Sequence, residues 1–253
     1  MKAHTKRTRK KKSFRSRLFF LLFILLLAGI AIYYVLSLPI WKIQEVSVDG
    51  AKILSADEIR EISSVPLSEN LFLSSFARVR NNLKKISAIQ DFHIYRIPPG
   101  TVLIRIQERK PIAVIVLKDK SAVVDAEGYI LNRNPNLTLN IPNMTDLPVI
   151  AGIGTAEVLG GEKITPNLSG LIADIILELS SSLGLHRIQL ELGGFQKIVL
   201  VLDDILRVKV GRDQEVKEKM AVFARLLPVI ANRWAEVEYV DVRYPNNPAI
   251  KYR

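Results

Sequence analysis

The residues able to do chemistry are few and scattered. Three histidines occur, His4, His93 and His186, and none has a partner at a metal-ligand spacing such as H-x3-H. His93 falls in a stretch that reads as a strand, so an ordinary sheet residue is expected there rather than a catalytic base. Asp203-Asp204 has the charge for a cation, but neighbouring carboxylates between two apolar runs equally suit a tight turn. Gly152-Ile-Gly154 lacks the third glycine and the strand-to-helix setting of a dinucleotide site. The chain has no G-x-S-x-G elbow and no P-loop. It has no cysteine, which removes disulfides, thiol catalysis, Cys-type zinc sites and iron–sulfur clusters together. Sequons begin at Asn136, Asn143 and Asn167; the first two lie in a stretch rich in Asn and Thr, and all three read as chance. The expectation is a protein that is not an enzyme, with no cofactor, no metal and no small-molecule substrate.

Charge is distributed very unevenly. Of the 36 basic residues, nine lie in residues 1–17 with no acid among them, leaving 27 against 25 acidic residues elsewhere. The basicity is therefore a feature of one tail and not of a folded surface, which argues against nucleic-acid binding. Leu18 to Leu38 is an uncharged run of 21 residues followed by Pro39. As a helix at about 1.5 Å per residue it reaches roughly 31 Å, the thickness of a hydrocarbon core. Tyr33, Tyr34 and Trp41 gather at its far end, where amphipathic rings favour the interface. A cleaved signal peptide would carry a shorter apolar region and a small-residue cleavage pattern, so an uncleaved anchor is expected. The basic tail (1–17) then stays in the cytoplasm, the span covers 18–38, and the remainder is exported.

Short elements follow at once. Val46 and Val48 alternate ahead of an Asp49-Gly50 turn. Ser55 and Glu58 have the spacing of a capping box for a helix carrying Ile59 and Ile62. Phe72, Phe76, Val79, Leu83 and Ile86 form the stripe of a second helix, with Arg78, Arg80, Lys84 and Lys85 largely on its solvated side. A strand containing Phe92 and Ile94 turns at Pro98-Pro99-Gly100. The next strand sets Val102, Ile104 and Ile106 on one side and Arg105, Gln107 and Arg109 on the other. Residues 111–131 read as strands with a hairpin at Ala126-Glu127-Gly128, and 132–146 as a long loop. A helix starts near Pro166; three strands follow at 185–192, 197–202 and 204–210. A helix places Val216, Met220, Phe223 and Leu227 on one face, and a last strand runs from Val237 to Tyr244.

The layout resembles the FtsQ/DivIB family of bacterial cell-division proteins. The matching stretches are Ile43–Gly50, Ile97–Ile104 running on to Glu108–Pro111, Val124–Gly128, Leu147–Ile150 and Tyr239–Tyr244. The resemblance implies an α+β chain: a single transmembrane helix, a small POTRA domain of β-α-α-β-β order at 41–110, and a larger mixed β-sheet domain with flanking helices at 111–253. It also implies a non-catalytic scaffold at the division septum. Such a protein binds the bitopic partners FtsB (or DivIC) and FtsL and so influences septal peptidoglycan synthesis.

Strand addition at an exposed sheet edge is the expected mode of binding. The residues carried over by resemblance are Arg243 and Tyr244, with Tyr239 beside them; Ile250 and Tyr252 extend the edge. Val240, Val242 and Tyr244 are expected on one face of the last strand, Asp241 and Arg243 on the other, and Pro245 suits a strand end. The chain departs from the family pattern at Asn246-Asn247-Pro248, where a glycine-containing turn is common, and at Tyr252, where tryptophan often stands. A POTRA-bearing protein of outer-membrane assembly or secretion would share this edge chemistry, but normally brings several such modules or a β-barrel. An anchored envelope enzyme would need a catalytic constellation, and the sequence offers none.

Overall fold

The structure, a computed structural model, describes residues 14–117, 120–135, 137–182 and 187–253. His4, His186, Asn136 and most of the basic tail lie outside these residues. Most of the uncharged run lies in one helix, α1 (Phe14–Leu36), which takes in Arg15 and Arg17 ahead of the expected span and ends two residues before Leu38; its Ser16–Leu36 portion is long and apolar enough to cross a membrane. The helix stops short of Pro39, which disfavours helical geometry in the residue before it: Leu38 has ψ 144°.

Strands β1 (Glu45–Asp49), β2 (Ile89–Ile97) and β3 (Thr101–Glu108) and helices α2 (Ala56–Ser63) and α3 (Ala77–Lys84) appear in the expected order, with the strands arranged β1-β3-β2. The capping box does not form. Ser55 is the N-cap of α2, but its side chain makes no capping hydrogen bond, and Glu58 accepts instead from the N–H of Thr138 (3.3 Å). Helix α3 is shorter than its apolar stripe: Phe72 lies before it and Ile86 beyond it, although Phe76, Val79, Leu83 and Ile86 are all buried.

The chain divides into two compact units. The first takes in α1, the segment to Ser47, and residues 66–75 and 95–103; the second takes in 48–65, 76–94 and 104–253. In the first, Ile43, Leu71 and Val102 are buried, and the backbone of 41–43 pairs with 68–71 through Leu71 N–H to Trp41 C=O (2.7 Å) and Ile43 N–H to Glu69 C=O (2.8 Å).

The second unit is dominated by one mixed sheet. Its strands are β4 (Pro111–Leu117), β5 (Lys120–Asp125), β6 (Val149–Ala151), β9 (Ile188–Leu192), β10 (Ile198–Leu202), β11 (Leu206–Gly211), β12 (Val237–Asp241) and β13 (Ala249–Tyr252). A small hairpin, β7 (Val158–Leu159) and β8 (Lys163–Ile164), stands apart from it. The order is β13-β12-β11-β10-β9-β6-β4-β5. One cross-strand row, Ala122, Ile115, Ile150, Leu190, Leu200, Val208, Val240 and Ile250, runs through every strand on the core face. That core is completed by Leu168, Ile172, Ile175 and Leu179 of α4 (Pro166–Ser182) and Met220, Phe223 and Leu227 of α5 (Val216–Ile230). The residues one step along each strand, such as Gln189, Arg207, Tyr239 and Lys251, fall on the opposite face because side chains alternate.

Arg109, expected on the outer side of its strand, is not at the surface, and a second cation, Lys219, is buried as well. Arg109 lies past the end of β3 and is largely buried. Its Nη1 donates to Asp125 Oδ2 (2.8 Å) and Glu127 Oε2 (2.9 Å), and its guanidinium stacks 3.7 Å over the Tyr129 ring. The nearly buried Asp125 requires such a partner, because an unpaired interior carboxylate is costly. Lys219 is buried on α5 and donates to the carbonyls of Arg212 (2.9 Å) and Gln214 (2.6 Å), which closes the turn ahead of the helix.

The remaining chemical candidates resolve into turn geometry. Asp203 and Asp204 both have left-handed φ at the β10–β11 hairpin. Arg187 meets both, its backbone N–H reaching Asp203 (3.3 Å) and its side chain Asp204 (2.9 Å). Gly152 has φ +82°, and a Cβ there would stand 2.1 Å from the Leu192 carbonyl oxygen, so backbone approach explains this glycine. His93 is an exposed residue of β2.

Candidate functional site: the C-terminal sheet edge

The eight-stranded sheet has two ends, and they differ. At β5, Val124 bridges to Ile130, Leu131 N–H donates to Val123 C=O (2.8 Å), and the Asn132 side chain bonds Val123 N–H and Ser121 C=O. That edge is already occupied by the protein's own chain. At the other end, among the described residues, β13 pairs with β12 alone.

Antiparallel neighbours exchange hydrogen bonds at every second residue. Asp241 faces Ala249, Tyr239 faces Lys251, and the Arg253 N–H donates to the Glu236 carbonyl (2.8 Å). Residues 249, 251 and 253 therefore turn their backbone groups toward β12. The alternation directs the N–H and C=O of Ile250 and Tyr252 outward, and these are the groups an added strand would use.

The five expected contact residues occupy this end of the sheet, in three settings. Tyr239 lies on the open face of β12, half-buried, with Lys209 Nζ 3.3 Å from its ring centroid and Lys251 Nζ at 5.6 Å. Ile250 packs against the core beside Val240, and Tyr252 lies 4.8 Å from the Arg233 guanidinium. Arg243 and Tyr244 sit in the connection between β12 and β13.

Here the expected strand is corrected. It ends at Asp241 and not at Tyr244, because the ladder continues only as far as the Val242 N–H, which donates to Lys209 C=O (3.0 Å). Val240 and Val242 are both fully buried, as their shared face predicts, whereas Tyr244 departs from that face and is 72% exposed. A turn closed by Asn247 N–H to Tyr244 C=O (2.9 Å) carries the chain into β13. Asn246-Asn247-Pro248 thus makes the turn without glycine.

Arg243 grips Asp241 with two side-chain nitrogens, Nε (2.9 and 3.0 Å) and Nη2 (2.7 Å), and its backbone N–H adds a third donor (3.1 Å). These bonds hold the Asp241 carboxyl below the usual aspartate range, against the opposing effect of partial burial. Gly211, at φ +77°, makes room for this clamp: a Cβ there would come 2.9 Å from Arg243 Cγ. Lys209 and the Lys251–Glu238 pair (2.8 Å) are further parts of this surface, which the sequence analysis does not single out. The period-two alternation of 206–210 carries Lys209 outward and is the signal that would have found it.

Comparison with known proteins places this geometry in context. Residues 113–243 match the family model described as cell division protein FtsQ/DivIB, C-terminal, and residues 41–109 match the POTRA domain, FtsQ-type. The chain belongs to the FtsQ/DivIB family. Relatives in the FtsQ/DivIB family include a cell division protein DivIB of Clostridium tetani, 25% identical over 90% of this chain and 86% of its own length. A cell division protein FtsQ of Streptomyces bingchenggensis is 25% identical over 89% and 82%. A DivIB of Brevibacillus brevis is 31% identical over 68% and 66%. Among solved structures, the extracytoplasmic domain of DivIB from Geobacillus stearothermophilus aligns at 13% identity with a TM-score of 0.29, over 50% of this chain and 98% of its own. The match to the FtsQ/DivIB C-terminal model closes at Arg243, ahead of Tyr244, Ile250 and Tyr252.

Proposed function

We propose that this FtsQ/DivIB chain is a non-catalytic scaffold of the division septum that captures a bitopic partner of the FtsB/DivIC or FtsL type by strand addition along β13. The observation that carries the reading is the asymmetry of the sheet: one end is sealed by residues 130–132, and the other leaves the backbone of Ile250 and Tyr252 directed outward. Strand addition draws affinity from such main-chain groups and specificity from side chains beside them. Tyr244, exposed in the turn, and Tyr252, on the edge itself, are the aromatic side chains placed to supply that specificity. Membership of a cell-division family supports this scaffold over a role in outer-membrane assembly.

The test is a titration of the full-length protein in nanodiscs with the exported segment of the partner. Tyr244→Ala is the informative variant, since it removes an exposed ring and leaves folding intact. Its affinity should fall about tenfold, or about 1.4 kcal/mol, with an unchanged denaturation midpoint. Unchanged affinity for both Tyr244→Ala and Tyr252→Ala would place the interface elsewhere.

A further inference from the structure

The end of α1 is capped by protein rather than left to solvent. The last four carbonyls of a helix have no partner within it, and at a hydrocarbon boundary they need one. All four find one here. Tyr33 C=O accepts from Ser37 N–H (2.9 Å) and Tyr34 C=O from Ser37 Oγ (2.8 Å). Val35 C=O accepts from the Trp41 indole (2.7 Å) and Leu36 C=O from the Asn70 side chain (2.7 Å). Asn70 belongs to the 66–75 loop, and the same side chain accepts from the N–H groups of Phe72 (2.9 Å) and Leu73 (3.0 Å). The loop is thus fastened to the helix end and fixed at its depth.

That loop exposes large apolar side chains beside the polar Ser68, Glu69 and Ser75. Leu71 is fully buried, but Leu67 and Leu73 are 58% and 49% exposed, and Ile40 is 59% exposed. Phe72 meets Trp41 edge-on at 5.3 Å between ring centroids. The end of β2 joins the same surface: Arg96 Nη2 donates to the Ser74 carbonyl (3.0 Å), and Tyr95 and Ile97, two residues apart on one side of the strand, are both exposed. Apolar side chains gathered this way on a water-facing surface signal a missing contact.

We propose that the 66–75 loop, with Ile40 and the end of β2, lies in the interface of the same bilayer that α1 crosses, with Leu67 and Leu73 inserted at the acyl boundary. The occupant is lipid, because the surface is continuous with the span: a group 2.7 Å from the last carbonyl of a membrane-length helix sits at the edge of the hydrocarbon. Trp41, with its indole N–H turned onto Val35, has the amphipathic character of an interfacial anchor. The inference rests on α1 crossing the membrane and is independent of any contact at β13. The loop then fixes the tilt and rotation of the first unit at the membrane surface, which one helix alone would leave free.

The chain has no cysteine, so each introduced cysteine is unique. Nitroxide labels at L67C, L73C and I97C in the full-length protein in nanodiscs would be compared with A28C in mid-span and K251C on the sheet edge. Collision with oxygen should outweigh collision with a nickel chelate at 67 and 73, corresponding to a depth of roughly 5–10 Å into the headgroup region. The reverse is expected at 251. Chelate access at 67 and 73 equal to that at 251 overturns the proposal. So does protection from both agents, which would mean that protein covers the loop. A label at 28 that behaves as water-exposed would sink the membrane span itself, and the loop assignment with it.

Discussion

Arg243 acts on the fold through Asp241, and that pairing carries a pH signature. The Arg243 hydrogen bonds hold the Asp241 carboxyl below its ordinary range, so the folded state binds this proton less readily than the unfolded chain does. The pair therefore stabilises the fold at pH values above the unfolded aspartate value of about 3.9, and the contribution disappears as pH falls through the lower native value. With its arginine half exposed, the pair contributes no more than about 1 kcal/mol. Arg243→Gln should lower the urea midpoint at about pH 7, and its deficit against the parent protein should shrink as the pH falls and Asp241 takes up its proton. A deficit that persists unchanged in acid would assign the contribution of Arg243 to packing over Gly211. Sequence alone placed Arg243 beside a partner surface but not in this clamp, because a residue two positions on can fold back only once the strand has ended. Arg109 was misread for a related reason. A charged residue closing an alternating run looks solvent-facing until Asp125, sixteen residues later, is brought within 2.8 Å of it.

Among the elements, β13 is the open edge of the eight-stranded sheet. The alternation along β12 and β13 makes a residue-by-residue prediction for hydrogen exchange. In the free protein the amides of Lys251 and Arg253 should be protected, and those of Ile250 and Tyr252 should exchange rapidly. Adding the partner's exported segment should slow exchange at 250 and 252 and leave 251 and 253 unchanged. Uniform protection along 249–253 before the partner is added would mean that the edge is already covered. The longer elements here were legible from pattern. α4, α5 and β9 to β11 fall close to their expected places, because each buries one face against the core and its periodicity is dictated by that burial. Strands β6, β7 and β8 have two or three residues apiece and show no period, and β13 looks like a tail because Pro245 and Pro248 interrupt the run before it. The end of β12 was misjudged for the same reason. Val240, Val242 and Tyr244 keep perfect alternation in sequence, and nothing local reveals that Asp241 captures Arg243 and ends the strand between them.

At the scale of the whole molecule, charge segregation predicts an arrangement across the membrane. Nine cations and no acid lie in residues 1–17, seven of them ahead of α1 and two, Arg15 and Arg17, in its first turn, and the residues beyond carry 27 basic against 25 acidic side chains, a nearly balanced set. Cationic flanks resist translocation, so the short basic segment should remain in the cytoplasm and everything after Leu36 should be exported. The absence of cysteine turns this into a direct measurement, since an introduced thiol has no competitor within the chain. With H4C, a membrane-impermeant maleimide should react only after the cells are lysed. With Q196C, on an exposed position between β9 and β10, it should react in intact spheroplasts. The opposite pattern would put the β13 edge in the cytoplasm, out of reach of any exported segment, and the strand-addition scaffold would fall with it. The expected pattern places that edge in the compartment where septal wall is built, and there a strand supplied by another anchored chain can reach it.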